Sequence, residues 1–244
     1  MSQTAHKAWL PPENLARAKR EAFHRWLIET PPEPFEIVRG SLTKSKQIAL
    51  DLAGLEARGW RHGLPERWEV RPGDPIEVGG YDEDRPIYTS AAYGSPFPAE
   101  ARTRHLGLDI FAPAYEGVFC PLPGTIHSFK DNRAFKDYGP TIILEHKVGA
   151  ELVFHTLYGH LARTSFLGMT IGQSVRRGDR LGWLGDADEN GSWPPHLHFQ
   201  IVLEIGDWFG DYPGVCRNSE RDRWLLNSPS PMDLLLPVHL SQVG

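Results

Sequence analysis

The stretch Pro194-Pro195-His196-Leu197-His198-Phe199-Gln200-Ile201 carries two histidines one residue apart within an alternating, largely apolar run. The alternation, continued by apolar residues at 201–203, predicts a β-strand. Side chains two apart in a strand point to the same face, so we expect His196 and His198 side by side, with Cβ atoms roughly 6 to 7 Å apart. One imidazole could then bind a metal ion while the other acts on a metal-bound water. Such a pair alone is more often just a polar strand face.

A second candidate lies upstream at His105-Leu106-Gly107-Leu108-Asp109. A straight strand would hold His105 and Asp109 about 13 Å apart, which is too far for two ligands of one ion with bonds near 2 Å. If both bind one metal, the chain must bend between them, and Gly107 is the residue that permits a bend. Taken alone, this spacing also fits an exposed loop histidine and a solvated aspartate.

A third histidine, His160, follows a predicted strand and shares a strand face with Tyr158, whereas His155 lies on the opposite face and is predicted to be core or edge. Three histidine clusters near strand ends fit a catalytic zinc, which takes three nitrogen or oxygen ligands and leaves one position to water. Zinc lowers the pKa of that water from about 15.7 to around 7, and further imidazoles can take and return protons. Spacing alone does not say which residues bind the metal.

Composition describes an ordinary soluble globular chain of 244 residues, with 40% hydrophobic and 23% charged residues. The formal net charge of −5 and the lack of clustered Lys and Arg argue against a nucleic-acid partner. The 24 glycines and 21 prolines favour many turns and a β-rich body. Cys120 and Cys216 are too few for a disulfide framework and are predicted to be free thiols.

The first 21 residues are polar and charged, without the apolar segment of a secretion signal, and no later run approaches 18 apolar residues. We therefore expect a cytoplasmic chain without a membrane partner.

Three regions are predicted along the chain. Residues 1–101 form an N-terminal extension with helices at 13–29 and 43–58, followed at 63–98 by irregular chain that wraps the next domain. Residues 102–205 form a β domain, and residues 206–244 a tail that packs on its core. Short apolar runs with Gly or Pro between them predict an antiparallel sheet rather than βαβ units, so the fold class is mostly β with a compact antiparallel core. The strands are expected at 117–120, 124–129, 141–146 and 151–157, with two more around a glycine turn within 171–185.

Four motifs occur in a fixed order within residues 102–204: His105-x-x-x-Asp109, then Leu157-Tyr158-Gly159-His160-Leu161, then Val175-x-x-Gly178-x-x-Leu181-Gly182-x-x-Gly185, then His196-Leu197-His198-Phe199. Together they resemble the M23 metallopeptidase family, also called LytM or lysostaphin-type peptidases. The resemblance implies an antiparallel β core with a groove floored by the metal. It also implies a zinc metallopeptidase whose usual substrates are the peptide cross-links of bacterial peptidoglycan, often at glycyl bonds.

By this resemblance His105, Asp109 and His198 match the zinc ligands. His160 and His196 match the two catalytic histidines, which position and deprotonate water and stabilise the developing oxyanion. A non-catalytic LytM-like zinc-binding scaffold or regulatory module is the alternative, because some relatives serve as regulators. A biotinyl or lipoyl carrier domain is excluded because it needs a lysine on its turn, and the last lysine of this chain is Lys147.

The chain departs from the family pattern at Pro194, where a glycine is usual, in a longer loop at 186–194, and in the extension 1–101. Residues 80–88, followed by residues 105–113, resemble a branch found inside longer cytoplasmic polypeptides, beside a kinase-like domain and a pyridoxal-phosphate aminotransferase. Membership of that branch would make another small peptide or amide the expected substrate and other domains of a larger polypeptide the partners. We also consider that the extension crosses the groove and supplies a fourth metal ligand.

Overall fold

A computed structural model of the chain describes residues 9–41, 44–60, 68, 70–88, 101–149 and 152–236. The strands in this part of the chain are β1 (Ser45–Ile48), β2 (Ile76–Gly79), β3 (Arg102–His105), β4 (Leu108–Phe111), β5 (Gly117–Phe119), β6 (Gly124–Asn132), β7 (Gly139–Val148), β8 (Leu152–Gly159), β9 (Ser174–Val175), β10 (Arg180–Trp183), β11 (His196–Val202) and β12 (Val215–Arg217). The helices are α1 (Glu13–Glu29), α2 (Leu52–Ala57), α3 (Arg221–Asn227) and α4 (Pro231–Leu235), with 3-10 turns at Arg163–Phe166 and Asn218–Glu220.

Eight of these strands form one sheet in the order β1-β2-β4-β11-β8-β7-β6-β9. Only the β1–β2 pair is parallel among them, and the other pairs are antiparallel. Two small antiparallel pairs, β10 with β5 and β12 with β3, complete the strand structure of the described residues. The predicted fold class, mostly β with an antiparallel core, is therefore confirmed.

The central strand β11 is buried along its whole length. A strand buried on both faces reads as a nearly continuous apolar run, which explains why residues 199–203 are so hydrophobic apart from Gln200. Helix α1 covers one face of the sheet, where Phe23 meets Phe154 of β8 with ring centroids 5.1 Å apart. At the other end of the chain, Leu234 and Leu235 of α4 are buried in the same core.

The extension contains the predicted helix at 13–29, which is α1. The single helix predicted at 43–58 is wrong: this segment forms β1 and then the short helix α2, whose N-cap Asp51 accepts a hydrogen bond from Gly54 N. Pairing with β2 explains the difference, because a partner strand about 30 residues away overrides local helical spacing. Residues 61–67, 69 and 89–100, within or beside the region predicted to be irregular, lie outside the described residues.

Strand β2 in turn pairs with β4, so the extension adds two strands to the edge of the sheet. The predicted boundary at residue 101 stays a prediction. Cys120 and Cys216 are both buried free thiols. No helix among the described residues has the length and apolar character needed to cross a bilayer.

Candidate metal centre

Strand order brings the distant histidine motifs together. Strand β11 lies between β4 and β8, and His198 stands directly opposite Asp109 on one side and Gly159 on the other. Residues directly opposite each other in antiparallel strands have Cβ atoms about 4.5 to 5.5 Å apart on one face of the sheet. Strand β3 ends at His105, and β4 begins only at Leu108, so the strand conformation is interrupted between His105 and Asp109. The binding of one metal ion by both residues requires such an interruption.

Gly107 lies in this break for reasons of space. It does not have a positive φ, but a Cβ at this position would stand 2.6 Å from the His198 ring and 2.8 Å from the carbonyl oxygen of Phe199. Any side chain here would push His198 out of place. Glycine is therefore needed for the close approach of β11, rather than for the unusual backbone angle that glycine also permits.

Three ligand atoms converge at this point. His105 Nε2 lies 3.0 Å from His198 Nδ1, His198 Nδ1 lies 3.1 Å from Asp109 Oδ1, and His105 Nε2 lies 3.2 Å from the same oxygen. All three residues are buried. Neighbouring ligands of a tetrahedral zinc with bonds of about 2.0 to 2.1 Å are about 3.4 Å apart, so the three atoms approximate three corners of such a site.

Hydrogen bonds assign the protons on His105 and His198. His105 Nδ1 is 3.0 Å from the carbonyl oxygen of Gly80, and His198 Nε2 is 3.0 Å from Gln200 Oε1. Both partners are acceptors, so these ring nitrogens donate and the opposite nitrogens carry lone pairs. The Gln200 amide is itself oriented, because its nitrogen donates to the carbonyl oxygen of Pro213 at 3.2 Å.

The three converging atoms are therefore all electron-pair donors. Burial lowers the pKa of His105 to about 4, which keeps it neutral at pH 7. Burial acts to raise the pKa of Asp109, but the positive charge of the adjacent Arg85 guanidinium acts to lower it, and the pKa stays well below its ordinary value, so the carboxylate is ionised. Two imidazole lone pairs and a carboxylate oxygen within about 3 Å repel one another unless a cation lies among them. The site fits a divalent metal ion.

His160 and His196 adjoin this triad, with their ring planes tilted by 35° to each other and the centroids 4.2 Å apart. His160 Nδ1 donates to the carbonyl oxygen of Asn190 at 2.9 Å, and His196 Nδ1 donates to that of Pro194 at 2.6 Å. The Nε2 atom of each ring therefore carries a lone pair. His196 Nε2 lies 3.9 Å from Asp109 Oδ1. Burial lowers the pKa of both histidines, so both are neutral at pH 7.

His160 adopts a left-handed backbone conformation, with φ of 63°. This conformation costs about 1 to 3 kcal/mol in a residue other than glycine and needs support from its surroundings. The support is backbone hydrogen bonding: His160 N donates to the carbonyl oxygen of Tyr138, and Gly185 N donates to that of His160. The turn directs the His160 side chain toward the triad just beyond the end of β8.

Residues 103–207 match the model of Peptidase family M23. This segment belongs to peptidase family M23. The M23 segment thus contains the His-Asp-His cluster, which is the one group with metal-ligand spacing among the described residues.

Comparison with solved structures finds similar chains of low sequence identity. A zinc containing peptidase from Vibrio cholerae is 24% identical over 47% of this chain and 35% of its own, with a TM-score of 0.35. A putative peptidase M23 from Pseudomonas aeruginosa is 19% identical over 92% and 63%, with a TM-score of 0.37. The catalytic domain of lysostaphin from Staphylococcus simulans is 22% identical over 52% and 83%, with a TM-score of 0.34.

The chain thus spans about a third of the Vibrio cholerae chain and under two thirds of the Pseudomonas aeruginosa chain. No curated protein matches the chain.

A pocket of about 290 Å³ opens over the His-Asp-His cluster, and all five predicted site residues line it. Both signs of charge are present at its wall, where Lys136 and Arg102 lie near Asp137 and Asp211. Lys136 Nζ lies 4.0 Å above the ring of Trp193, a residue that is largely buried and still reaches the pocket. Aromatic rings form much of the remaining lining, namely Tyr88, Phe111, Phe135, Tyr138, Trp208 and Tyr212.

Sequence reasoning missed three residues that contact the His-Asp-His triad. Gln200 lies two positions after His198 on the same strand face, so the alternation of β11 would have identified it. Tyr138, whose hydroxyl is 3.4 Å from His198 Nε2, comes from the loop between β6 and β7 and carries no sequence signal. Arg85 carries no signal in the sequence beyond its place in the stretch 80–88. His155 lies outside the site, buried, with its ring centroid 5.0 Å from that of His127.

Proposed function

We propose that the M23 segment is a zinc-dependent peptidase or amidase, with His105, Asp109 and His198 holding the ion and His160 and His196 handling protons. The observation that carries this proposal is the convergence of His105 Nε2, Asp109 Oδ1 and His198 Nδ1 within 3.2 Å of one another. Each imidazole also has its opposite nitrogen fixed by an acceptor, which is how ligating histidines are normally oriented.

When bound, zinc acts as a Lewis acid that lowers the pKa of water to about 7. The chain itself supplies proton acceptors at the Nε2 atoms of His160 and His196, which are free because each Nδ1–H is bonded to a backbone carbonyl. A neutral imidazole takes a proton at Nε2 and returns it to the leaving amine nitrogen. The carbonyl oxygens of Asn190 and Pro194 stabilise the positive charge during that interval.

We infer a peptide substrate. The aromatic lining can contact an extended backbone, while the charges at the pocket wall can bind polar substrate groups. Peptidoglycan cross-links are the usual substrates implied by the M23 resemblance. A cytoplasmic location would instead favour another small peptide or amide.

Metal analysis of purified variants tests the assignment of roles. We expect one zinc per wild-type chain, loss of zinc in His105→Ala, and retention of zinc in His196→Ala. Cleavage of a peptide library, including pentaglycine and peptidoglycan fragments, is then followed by mass spectrometry. We expect His196→Ala to cleave at least about 100-fold more slowly than wild type.

Two results would oppose this function. A wild-type chain that takes up no zinc would remove the metal site. A zinc-loaded wild type that cleaves no faster than His196→Ala would favour the non-catalytic scaffold.

A further inference from the structure

Arg85 is a fully buried arginine that contacts the metal-ligand carboxylate from behind. Its Nη1 lies 2.5 Å from Asp109 Oδ2, whereas Oδ1 of the same carboxylate faces His105 and His198. The guanidinium has 0% exposure. Its Nε donates to Glu83 Oε2 at 2.7 Å and its Nη1 also donates to the Tyr88 hydroxyl at 3.2 Å. A planar fork with this many partners has one orientation, and it therefore fixes the carboxylate it binds.

The same segment also holds a second ligand. The carbonyl oxygen of Gly80 accepts from His105 Nδ1 and from Arg85 Nη2, both at 3.0 Å. We call residues 80–88 the bracing segment, because it contacts two of the three ligands through Gly80 and Arg85. Its backbone is joined to β3, where His105 N donates to the carbonyl oxygen of Glu83 at 2.9 Å.

We propose that Arg85 is a positioning residue of the metal centre, which orients Asp109 so that Oδ1 points to the ion. This inference rests on the proposed function, since it presupposes that the triad binds zinc. Charge and orientation predict opposite effects when Arg85 is replaced. Loss of a nearby positive charge would by itself strengthen cation binding, whereas loss of the fork would let the Asp109 carboxylate rotate and weaken it.

Zinc affinity measured by competition with a chromophoric chelator distinguishes the two effects. We expect Arg85→Met to weaken zinc binding by about 10- to 100-fold, the usual effect of removing a residue that supports a metal ligand. Arg85→Lys keeps the buried charge and loses the fork, and we expect it to lose at least about tenfold. If Arg85→Met does not fold, the zinc affinity of Arg85→Lys alone tests the role of Arg85.

Arg58→Met is the matched control. Arg58 forms a two-bond ion pair with Glu77 of β2, at 2.8 and 3.3 Å, within the same extension. Its replacement removes a similar interaction from the extension and leaves the bracing segment intact, so zinc affinity should stay within about twofold of wild type. Melting temperatures of all metal-free variants show whether a variant has lost general stability.

The outcomes separate this inference from the proposed function. Wild type without zinc affinity overturns the function and the inference together. Wild type that binds zinc, with Arg85→Met and Arg85→Lys binding as tightly or more tightly, overturns only the role of Arg85. A loss in Arg58→Met equal to that in Arg85→Met also overturns it, because the effect would then follow from general loosening of the extension.

Discussion

Replacing Gly107 with alanine should damage the metal site while changing one methyl group. The new Cβ would lie 2.6 Å from the Cε1 and Nε2 atoms of His198, and ordinary contact begins at 3.4 Å. The His198 ring must therefore move by about 0.8 Å, or the backbone at Gly107 must move away from β11. The backbone cannot easily move, because the second contact is the Phe199 carbonyl oxygen and β11 is paired on both sides. Movement of the ring strains the bond from His198 Nε2 to Gln200.

This displacement exceeds the tolerance of about 0.5 Å within which a functional site works. We expect zinc affinity to fall at least about tenfold and turnover by about 100-fold, since a misplacement of about 1 Å has effects of that order. Forcing a methyl group into a packed core should also cost about 1 to 3 kcal/mol of unfolding free energy.

Chelator competition gives the zinc affinity, and peptide cleavage gives the turnover. Gly124→Ala is the matched control: its Cβ would likewise stand 2.6 Å from a neighbouring atom, the carbonyl oxygen of Glu145, but in strand β6, three strands away from β11 in the sheet. The control should bind zinc within about twofold of wild type. Wild-type affinity in Gly107→Ala would show that the His198 ring does not occupy the position described here.

Three further expectations follow from contacts in and around the site. Gln200→Met removes the acceptor of His198 Nε2–H and should weaken zinc binding about 10- to 100-fold, with the exposed Gln173→Met as control in the same chelator assay. Adding zinc to the metal-free chain should raise its melting temperature, because binding to the folded state alone adds about 4 kcal/mol at 1,000 times the dissociation constant; an unchanged melting temperature would oppose the site. Burial lowers the pKa of His146 to about 4, below its ordinary 6.5, so its contribution to stability is complete above pH 6.5 and is lost as pH falls toward 4, by about 2 kcal/mol at pH 5. His146→Gln should flatten that part of the pH profile in urea unfolding, and an unchanged slope would assign it to other groups.

The sequence predicts strands well where turns separate short apolar runs. Strands β6, β7 and β8 all lie within a few residues of their predicted positions, because a glycine stands at the start of β6 and of β7 and at the end of β8. The prediction of one helix at 43–58 fails because Ile48, Leu52 and Leu55 have helical spacing, and only the parallel partner β2 shows that Ile48 belongs to a strand. A pairing of this kind depends on distant chain and leaves no local pattern.

The five candidate site residues could be named from the order of their motifs, but the geometry that unites them could not. Strand order β4-β11-β8 is a tertiary property, and so are the acceptors that fix each imidazole. The backbone carbonyls of Gly80, Asn190 and Pro194 do this for three of the four histidines. Any residue type supplies a carbonyl, so the sequence carries no trace of these partners.

The N-terminal extension is part of the sheet and does not only cover the pocket, because its strand β2 pairs with β4. This pairing places Gly79 opposite Asp109. The bracing segment that follows β2 contacts Asp109 through Oδ2, the oxygen turned away from the two histidines. In the described residues the metal-ligand cluster contains no member from the extension, so the fourth-ligand hypothesis finds no support there. Removing the chain through residue 88 would break the bonds that hold His105 and Asp109, whereas a cut before residue 76 would leave β2 and the bracing segment in place. The part of the extension from β2 to Tyr88 therefore belongs to the scaffold of the candidate metal centre. Proteolytic removal of the extension could leave this centre intact only if the chain were cut N-terminal to β2, or if the segment from β2 to Tyr88 stayed bound after the cut.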